Sequence, residues 1–228
     1  MNQKLWKRLA AAVFALSLLG TLSACGGGLS EKDAEAYVKG HLDAIYLGTC
    51  SQEYIDLVED MTEAEAKEMY QNNVTWEAEI LLQDFLDVDY PTDEMVERSE
   101  KLIETIYSKA KYQVGSGTKT KDGDFVVEVT VSPIEVLYLL TDEDVFDALD
   151  QSGYGEAETE EQMAEADAVY GMLMLDKLEE LLPQMSYGKD QIIMLQLKPD
   201  DEGYYVLVET GIQKVDEVMI DYSGTYAE

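Results

Sequence analysis

Apolar side chains recur every three or four residues after Ser30, which is the spacing of a helix with one buried face. Ser30 and Asp33 form a capping signal at its start, and Gly48 is a stop signal at its end. The pattern therefore predicts a first helix from about Glu31 to Leu47. A second helical stretch is expected near Glu53 to Glu59.

Two further helices are predicted before residue 110. Thr62 and Glu65 open one that continues through "EAKEMYQNNVTWEAEILLQDFL". Pro91 interrupts the pattern, and Thr92 is placed to cap the next helix, which reaches Tyr107.

The period then changes to strict alternation. The segment "KYQVGSGTKTKDGDFVVEVTVSP" reads as a β-hairpin with Asp122 and Gly123 in its turn, and Pro133 ends the second strand. Alternation places four apolar residues on one face: Phe125, Val127, Val129 and Val131.

Helical spacing returns before a second hairpin. Thr141 caps a short helix, and Thr159 with Gln162 opens a long one. The hairpin "QIIMLQLKPDDEGYYVLVETG" is apolar on both faces over part of its length, so its strands are expected to be central in the sheet and covered. A short closing helix is expected from about Ile212 to Tyr222. This order predicts an α+β domain with several helices packed on an antiparallel sheet built from two hairpins.

The first 24 residues have the layout of a secretory signal. Lys4, Lys7 and Arg8 precede an apolar run from Leu9 to Leu19 that is too short to span a bilayer comfortably. This segment is therefore excluded from the fold and expected to direct export.

The segment "LSAC", which ends at Cys25, resembles the lipobox of bacterial lipoproteins. The resemblance implies cleavage before Cys25 and acylation of its thiol, including palmitate-type chains. The chain then divides into a signal peptide at 1–24, a lipidated cysteine and glycine tether at 25–29, and one extracytoplasmic domain at 30–228. Two or three acyl chains would hold that domain on the outer face of the cell membrane. An ordinary signal peptide with a chance cysteine is the alternative.

The exported part is strongly acidic. Without the first 24 residues the chain keeps 13 basic and 48 acidic residues, a net charge of −35. Such a charge repels nucleic acid and anionic surfaces, so nucleic acid is not expected as a partner. A basic protein, a cation or an envelope ligand remains open as a partner, beside the simpler interpretation that the charge serves solubility.

Three stretches, "DAEAYVKGHLDAIYLG", "TEAEAKEMY" and "VTVSPIEV", resemble lipoproteins of unknown function from clostridia and related Gram-positive bacteria. The likeness spans about residues 30 to 222 and includes no catalytic motif. It implies a cystatin-like or nuclear-transport-factor-like domain, in which a helix packs against a curved antiparallel sheet.

Few residues offer catalytic chemistry. His41 is the single histidine and falls on an apolar helical stripe, so the edge of a core is the favoured position over a catalytic base. Cys50 follows nine residues later, and a His41–Cys50 thiolate pair is a weaker alternative without a supporting motif. Glycine-rich phosphate or dinucleotide motifs and a nucleophile elbow are missing from the sequence, and no cofactor, metal or catalytic residue is assigned.

Carboxylates and tyrosines are the remaining candidates. The segment "DVDYPTDE" from Asp87 to Glu94 could place several carboxylates around a hard cation. It lacks the glycine and terminal glutamate of a calcium-binding loop, so a solvated loop is favoured. The 15 tyrosines are expected at half-buried positions, with a ligand groove as the alternative. We therefore expect a lipid-anchored protein with a non-catalytic ligand- or partner-binding domain. A hydrolase using carboxylates is the alternative, and carboxylates converging in a closed pocket with perturbed ionisation would favour it.

Overall fold

The structure is a computed structural model that describes residues 29–58, 61–201 and 203–227. The predicted signal, Cys25 and the three glycines that follow it lie outside the described residues, so this part of the domain division stays a prediction. Within the described ranges the chain forms seven α-helices: α1 Glu31–Leu47, α2 Gln52–Leu57, α3 Glu63–Glu79, α4 Asp93–Tyr107, α5 Asp142–Ser152, α6 Glu160–Leu181 and α7 Glu209–Met219.

Seven strands in the described ranges form two sheets. The strands are β1 Lys111–Lys119, β2 Phe125–Ser132, β3 Ile134–Glu135, β4 Ser186–Tyr187, β5 Gln191–Pro199, β6 Tyr205–Leu207 and β7 Ile220–Asp221. The larger sheet has the order β1-β2-β5-β6 and is antiparallel throughout. The smaller has the order β4-β3-β7, with β3 and β7 parallel. The predicted α+β class and both predicted hairpins are confirmed.

Helix α1 has the predicted bounds for the predicted reasons. The Ser30 hydroxyl accepts a hydrogen bond from the Asp33 amide, and the Asp33 carboxylate accepts one from the Ser30 amide. Gly48 ends the helix in the left-handed region at φ 61°, which a glycine adopts without strain.

Helix α3 does not continue as a regular helix to Leu86, as its sequence predicts. From Ile80 to Phe85 the chain widens into a π-helix, in which the Leu86 amide donates to the Leu81 carbonyl at 2.9 Å. A wide turn of this kind leaves the apolar spacing almost unchanged, so the pattern carries no sign of it.

The ends of two predicted elements differ from the structure. Helix α2 ends at Leu57, and Glu59, the predicted end, lies outside the described residues. The closing helix α7 ends at Met219, because the next two residues pair with β3 as strand β7, and Tyr222 follows that strand. The small sheet was not predicted, since strands of two residues have no periodicity to detect.

The core lies between the larger sheet and helices α1 and α7. The four residues predicted for one face of β2 are buried there, and α1 and α7 pack against the strands on this side. Both strands of the second hairpin were expected to be central and covered. Strand β5 is an inner strand, but β6 is an edge strand, and one side of β5 is uncovered. Ile192 and Met194 on that side are 66% and 55% exposed, because both helices lie on the opposite side of the sheet.

Candidate functional site

Five polar side chains from different parts of the chain meet beneath helix α7, and we call them the acid–tyrosine cluster. Its members are Tyr46, Glu77, Tyr107, Asp216 and Tyr222. They come from α1, α3, α4, α7 and the segment after β7, so the cluster joins the two halves of the domain.

Glu77 is buried in the last turn of α3. One carboxylate oxygen accepts a hydrogen bond from the Tyr222 hydroxyl at 2.5 Å, and the other accepts one from Tyr107 at 3.2 Å. Burial raises the pKa of the Glu77 carboxyl, and the two tyrosine hydrogen bonds partly oppose that rise. Both oxygens thus already have a donor inside the protein.

Asp216 is the second acid of the cluster and is only partly shielded from solvent. Its carboxylate accepts a hydrogen bond from the Tyr46 hydroxyl. Burial raises the pKa of Asp216 to about 7; the Tyr46 hydrogen bond lowers it, and the charges of Glu77 and Glu217 raise it again. Asp216 therefore exchanges a proton near neutral pH.

The donors of the cluster are phenols held in fixed positions. The rings of Tyr46 and Tyr107 meet edge to face with centroids 5.3 Å apart, and Phe85 in the π-helix meets Tyr222 in the same way at 5.2 Å. Burial first, and the nearby carboxylates second, raise the pKa of Tyr46, Tyr107 and Tyr222 well above the usual value. All three remain neutral hydrogen-bond donors at physiological pH.

Sequence reasoning did not single out Glu77 or Asp216, although each leaves a signal. Glu77 lies four residues after Asn73 and four before Leu81, which are both on the buried side of the helix. Asp216 directly follows Val215 and lies four residues after Ile212, at the margin of the buried stripe of α7. A carboxylate at a helical core position indicates a buried polar contact, but not which partner it meets.

The segment Asp87–Glu94 is held by a carboxylate from another element. Asp167, which is fully buried on α6, accepts hydrogen bonds from the amides of Asp89 at 2.9 Å and Tyr90 at 3.0 Å. Among the described residues no group of three or more His, Cys, Asp or Glu side chains could hold a metal ion. The contacts of Asp167 are those of a clamp that fixes a loop.

His41 lies inside the core, deeper than the predicted edge. It is 2% exposed, its ring stacks on Tyr37, and its Nδ1 is 3.3 Å from the hydroxyl of Tyr54. Burial lowers the pKa of His41 to about 4, so the imidazole is neutral at physiological pH.

Cys50 does not have the environment of an activated thiolate. Its thiol donates a long contact of 3.9 Å to the Ser51 carbonyl. Burial, followed by the charges of Glu63 and Asp43, raises the pKa of the Cys50 thiol, which favours the unreactive protonated form.

Several tyrosines are more deeply buried than expected. Four of them are fully inside the core: Tyr37, Tyr46, Tyr54 and Tyr107. Their rings fill the interior and meet one another, as Tyr37 and Tyr54 do at 5.8 Å. These four cannot line a surface groove.

No protein-family model and no curated protein matches the chain. One solved structure resembles it: a protein from Bacillus subtilis subsp. subtilis str. 168, ycdA, described as a "putative lipoprotein". The two chains are 13% identical, with a TM-score of 0.50 over 83% of this chain. The match covers 56% of the other chain, so this protein spans little more than half of that structure's length. At this identity the likeness concerns the fold.

The described part of the chain contains no helix that is both long and apolar enough to cross a bilayer.

Proposed function

We propose that this protein is a lipid-anchored extracytoplasmic protein whose domain at 30–228 binds a partner without catalysing a reaction. The "LSAC" segment supplies the anchor, with Cys25 as the acylated residue. The fold shared with the Bacillus subtilis protein, itself described as a "putative lipoprotein", supports the same location. Anchoring by more than one acyl chain is effectively stable.

The hydrogen bonding of Glu77 carries the non-catalytic part of the proposal. A catalytic carboxylate needs an oxygen free to reach substrate or water. Both oxygens of Glu77 accept from tyrosine hydroxyls. Asp167 is fully buried, and one of its oxygens accepts from two backbone amides. These buried acids join elements of the fold.

Helix α1 packing against β1 and β2 supports a finer proposal about the architecture, which is a cystatin-like or nuclear-transport-factor-like arrangement. Domains of this kind place one helix across an antiparallel sheet. In the present chain α3 packs on α1, and α4, α6 and α5 follow it in a series of helix–helix contacts.

A hydrolase using carboxylates is the second candidate, and Asp216 is the residue that favours it. A partly accessible carboxyl with a pKa of about 7 has the ionisation expected of a general acid. If the protein were such an enzyme, Asp216→Asn would abolish hydrolysis of an envelope substrate while the fold persisted. The non-catalytic proposal requires that wild type and Asp216→Asn bind the same partner equally well and that neither hydrolyses the envelope substrate.

Phase partitioning tests the anchor. Wild type expressed in a Gram-positive host should enter the detergent phase, whereas Cys25→Ala should move to the aqueous phase. Cys50→Ala is the matched control, because it removes the other cysteine and should leave partitioning unchanged. A Cys25→Ala protein that still enters the detergent phase would exclude the anchor.

A further inference from the structure

Among the described residues, no helix packs on one face of the larger sheet, which we call the outer face. Along β5, Ile193 and Leu195 are buried, whereas the alternating Ile192 and Met194 are exposed. The register extends this face across the neighbouring strands, because Ile192 is opposite Thr130, and Met194 is opposite Glu128. Two large apolar side chains thus lie in water at the middle of an inner strand.

The outer face is unusual in its charge. The strand residues with this orientation are Lys111, Gln113 and Thr118 on β1, Val126, Glu128, Thr130 and Ser132 on β2, Ile192, Met194, Gln196 and Lys198 on β5, and Val206 on β6. They include one acid and two lysines, in a chain with 48 acidic and 16 basic residues. Asp124 and Asp190 lie at its margins, where each accepts a hydrogen bond from a side chain of the sheet.

The edge of the sheet at β1 is less suited to association than the outer face. Two amides at the end of this edge strand donate inward to helix α1, from Gly117 to the carboxylate of Glu35 at 2.8 Å and from Lys119 to Glu31 at 3.0 Å. A strand added here would have to displace those carboxylates. Contact through the face leaves the hydrogen bonds intact.

We propose that the outer face is the interface between two copies of this chain. This rests on the proposed partner-binding function and names the partner. Two exported chains of net charge −35 repel wherever acidic surfaces meet, whereas the outer face lets them approach through a nearly neutral surface. Packing two such faces would shield Ile192 and Met194 from water and place Glu128 within reach of lysines on the other copy.

The net negative charge of the chain also argues against a basic protein or an anionic bilayer as the occupant of the outer face. A basic partner would find more carboxylates on almost any other surface, and an anionic bilayer would repel the chain as a whole. Tethering to one membrane, where the proposed anchor exists, raises the effective concentration of copies facing one another. A weak interface is then sufficient.

Light scattering coupled to size exclusion tests this on the full chain in mild detergent, with the detergent mass subtracted. Wild type should be dimeric, and its dissociation constant should fall several-fold between about 0.05 and 0.5 M NaCl, because salt screens the repulsion of the acidic surfaces. The Ile192→Lys/Met194→Lys double variant should be monomeric with an unchanged melting temperature. Phe146→Lys, at a 68% exposed apolar residue on α5, is the matched control and should remain dimeric.

A wild type that is monomeric at every salt concentration would overturn the proposal, as would a double variant that dimerises like wild type. Vesicle binding that depends on Ile192 and Met194 in a monomeric wild type would assign the face to lipid and would likewise overturn the proposed dimer. Light scattering measures the number of chains per particle, whether or not Cys25 is acylated. The dimer test and the partitioning assay can therefore fail independently.

Discussion

The Tyr46 hydroxyl on α1 donates a hydrogen bond to the Asp216 carboxylate on α7, across 170 positions of the chain. This contact and the Glu77 hydrogen bonds tie the first helices to the C-terminal segment. The polar interior therefore contributes to the fold and gives it a dependence on pH.

The contribution of Asp216 to the free energy of unfolding should fall as pH rises from about 4 to 7, whereas the buried His41, with its pKa lowered to about 4, contributes with the opposite sign in the same window. The pKa of Asp216 is about 7 in the folded protein against an ordinary value of 3.8, so the folded state binds the extra proton in this window. The contribution is complete below about pH 4 and is lost above about pH 7. Glu77 adds to it in the same direction.

Asp216→Asn tests the origin of that slope. An amide matches the protonated acid, so the variant should gain about 2 kcal/mol over wild type at pH 8 and gain little at pH 4, and the difference between the two proteins should grow as pH rises between these values. Urea unfolding at several pH values provides the measurement. Asp150→Asn removes an exposed carboxylate and should keep the wild-type profile; the same pH-dependent gain in that variant would attribute the effect to general charge repulsion.

Tyr46→Phe should destabilise the fold by about 1–3 kcal/mol, because the partly buried Asp216 carboxylate loses the hydrogen bond from the Tyr46 hydroxyl. The loss should be larger at pH 8 than at pH 4, since the ionised carboxylate needs the donor more. Thermal unfolding at the two pH values measures this. Tyr90→Phe alters a 40% exposed tyrosine and serves as the control; equal losses at both pH values in Tyr46→Phe would contradict the coupling.

Regular elements follow from local pattern, whereas the cluster does not. The α1 helix could be predicted to the residue because Ser30, Asp33 and Gly48 mark its ends by local hydrogen bonding and backbone freedom. The meeting of Tyr46 with Asp216 depends on how distant elements pack, which no spacing in the sequence records. The exposed side of β5 was missed for the same reason: an apolar residue does not say which side a helix occupies.

Asp167→Ala should destabilise the protein by about 1–3 kcal/mol, because the amides of Asp89 and Tyr90 would lose their acceptor. Asp167→Asn keeps an acceptor oxygen and should cost less. Glu165→Ala changes an exposed acid of the same helix and should be nearly neutral. If Asp167→Ala unfolded in urea like Glu165→Ala, the clamp would be refuted.

Gly40→Ala should cost more than about 2 kcal/mol, although alanine is the better helix former by about 1 kcal/mol. A Cβ at Gly40 would lie 2.3 Å from Cγ of the buried Tyr54, which has no room to move. Gly155→Ala is the control, since a Cβ there meets nothing within 4 Å. A melting temperature unchanged by Gly40→Ala would contradict the packing of α2 against α1.

The identity of the mature N-terminus tests the central claim, that this is a lipid-anchored protein, most directly. Mass spectrometry of the protein purified from membranes should find an N-terminal peptide that begins at Cys25 and carries the mass of a diacylglyceryl group. An N-terminus elsewhere, or an unmodified Cys25 in the membrane-bound protein, would contradict the account.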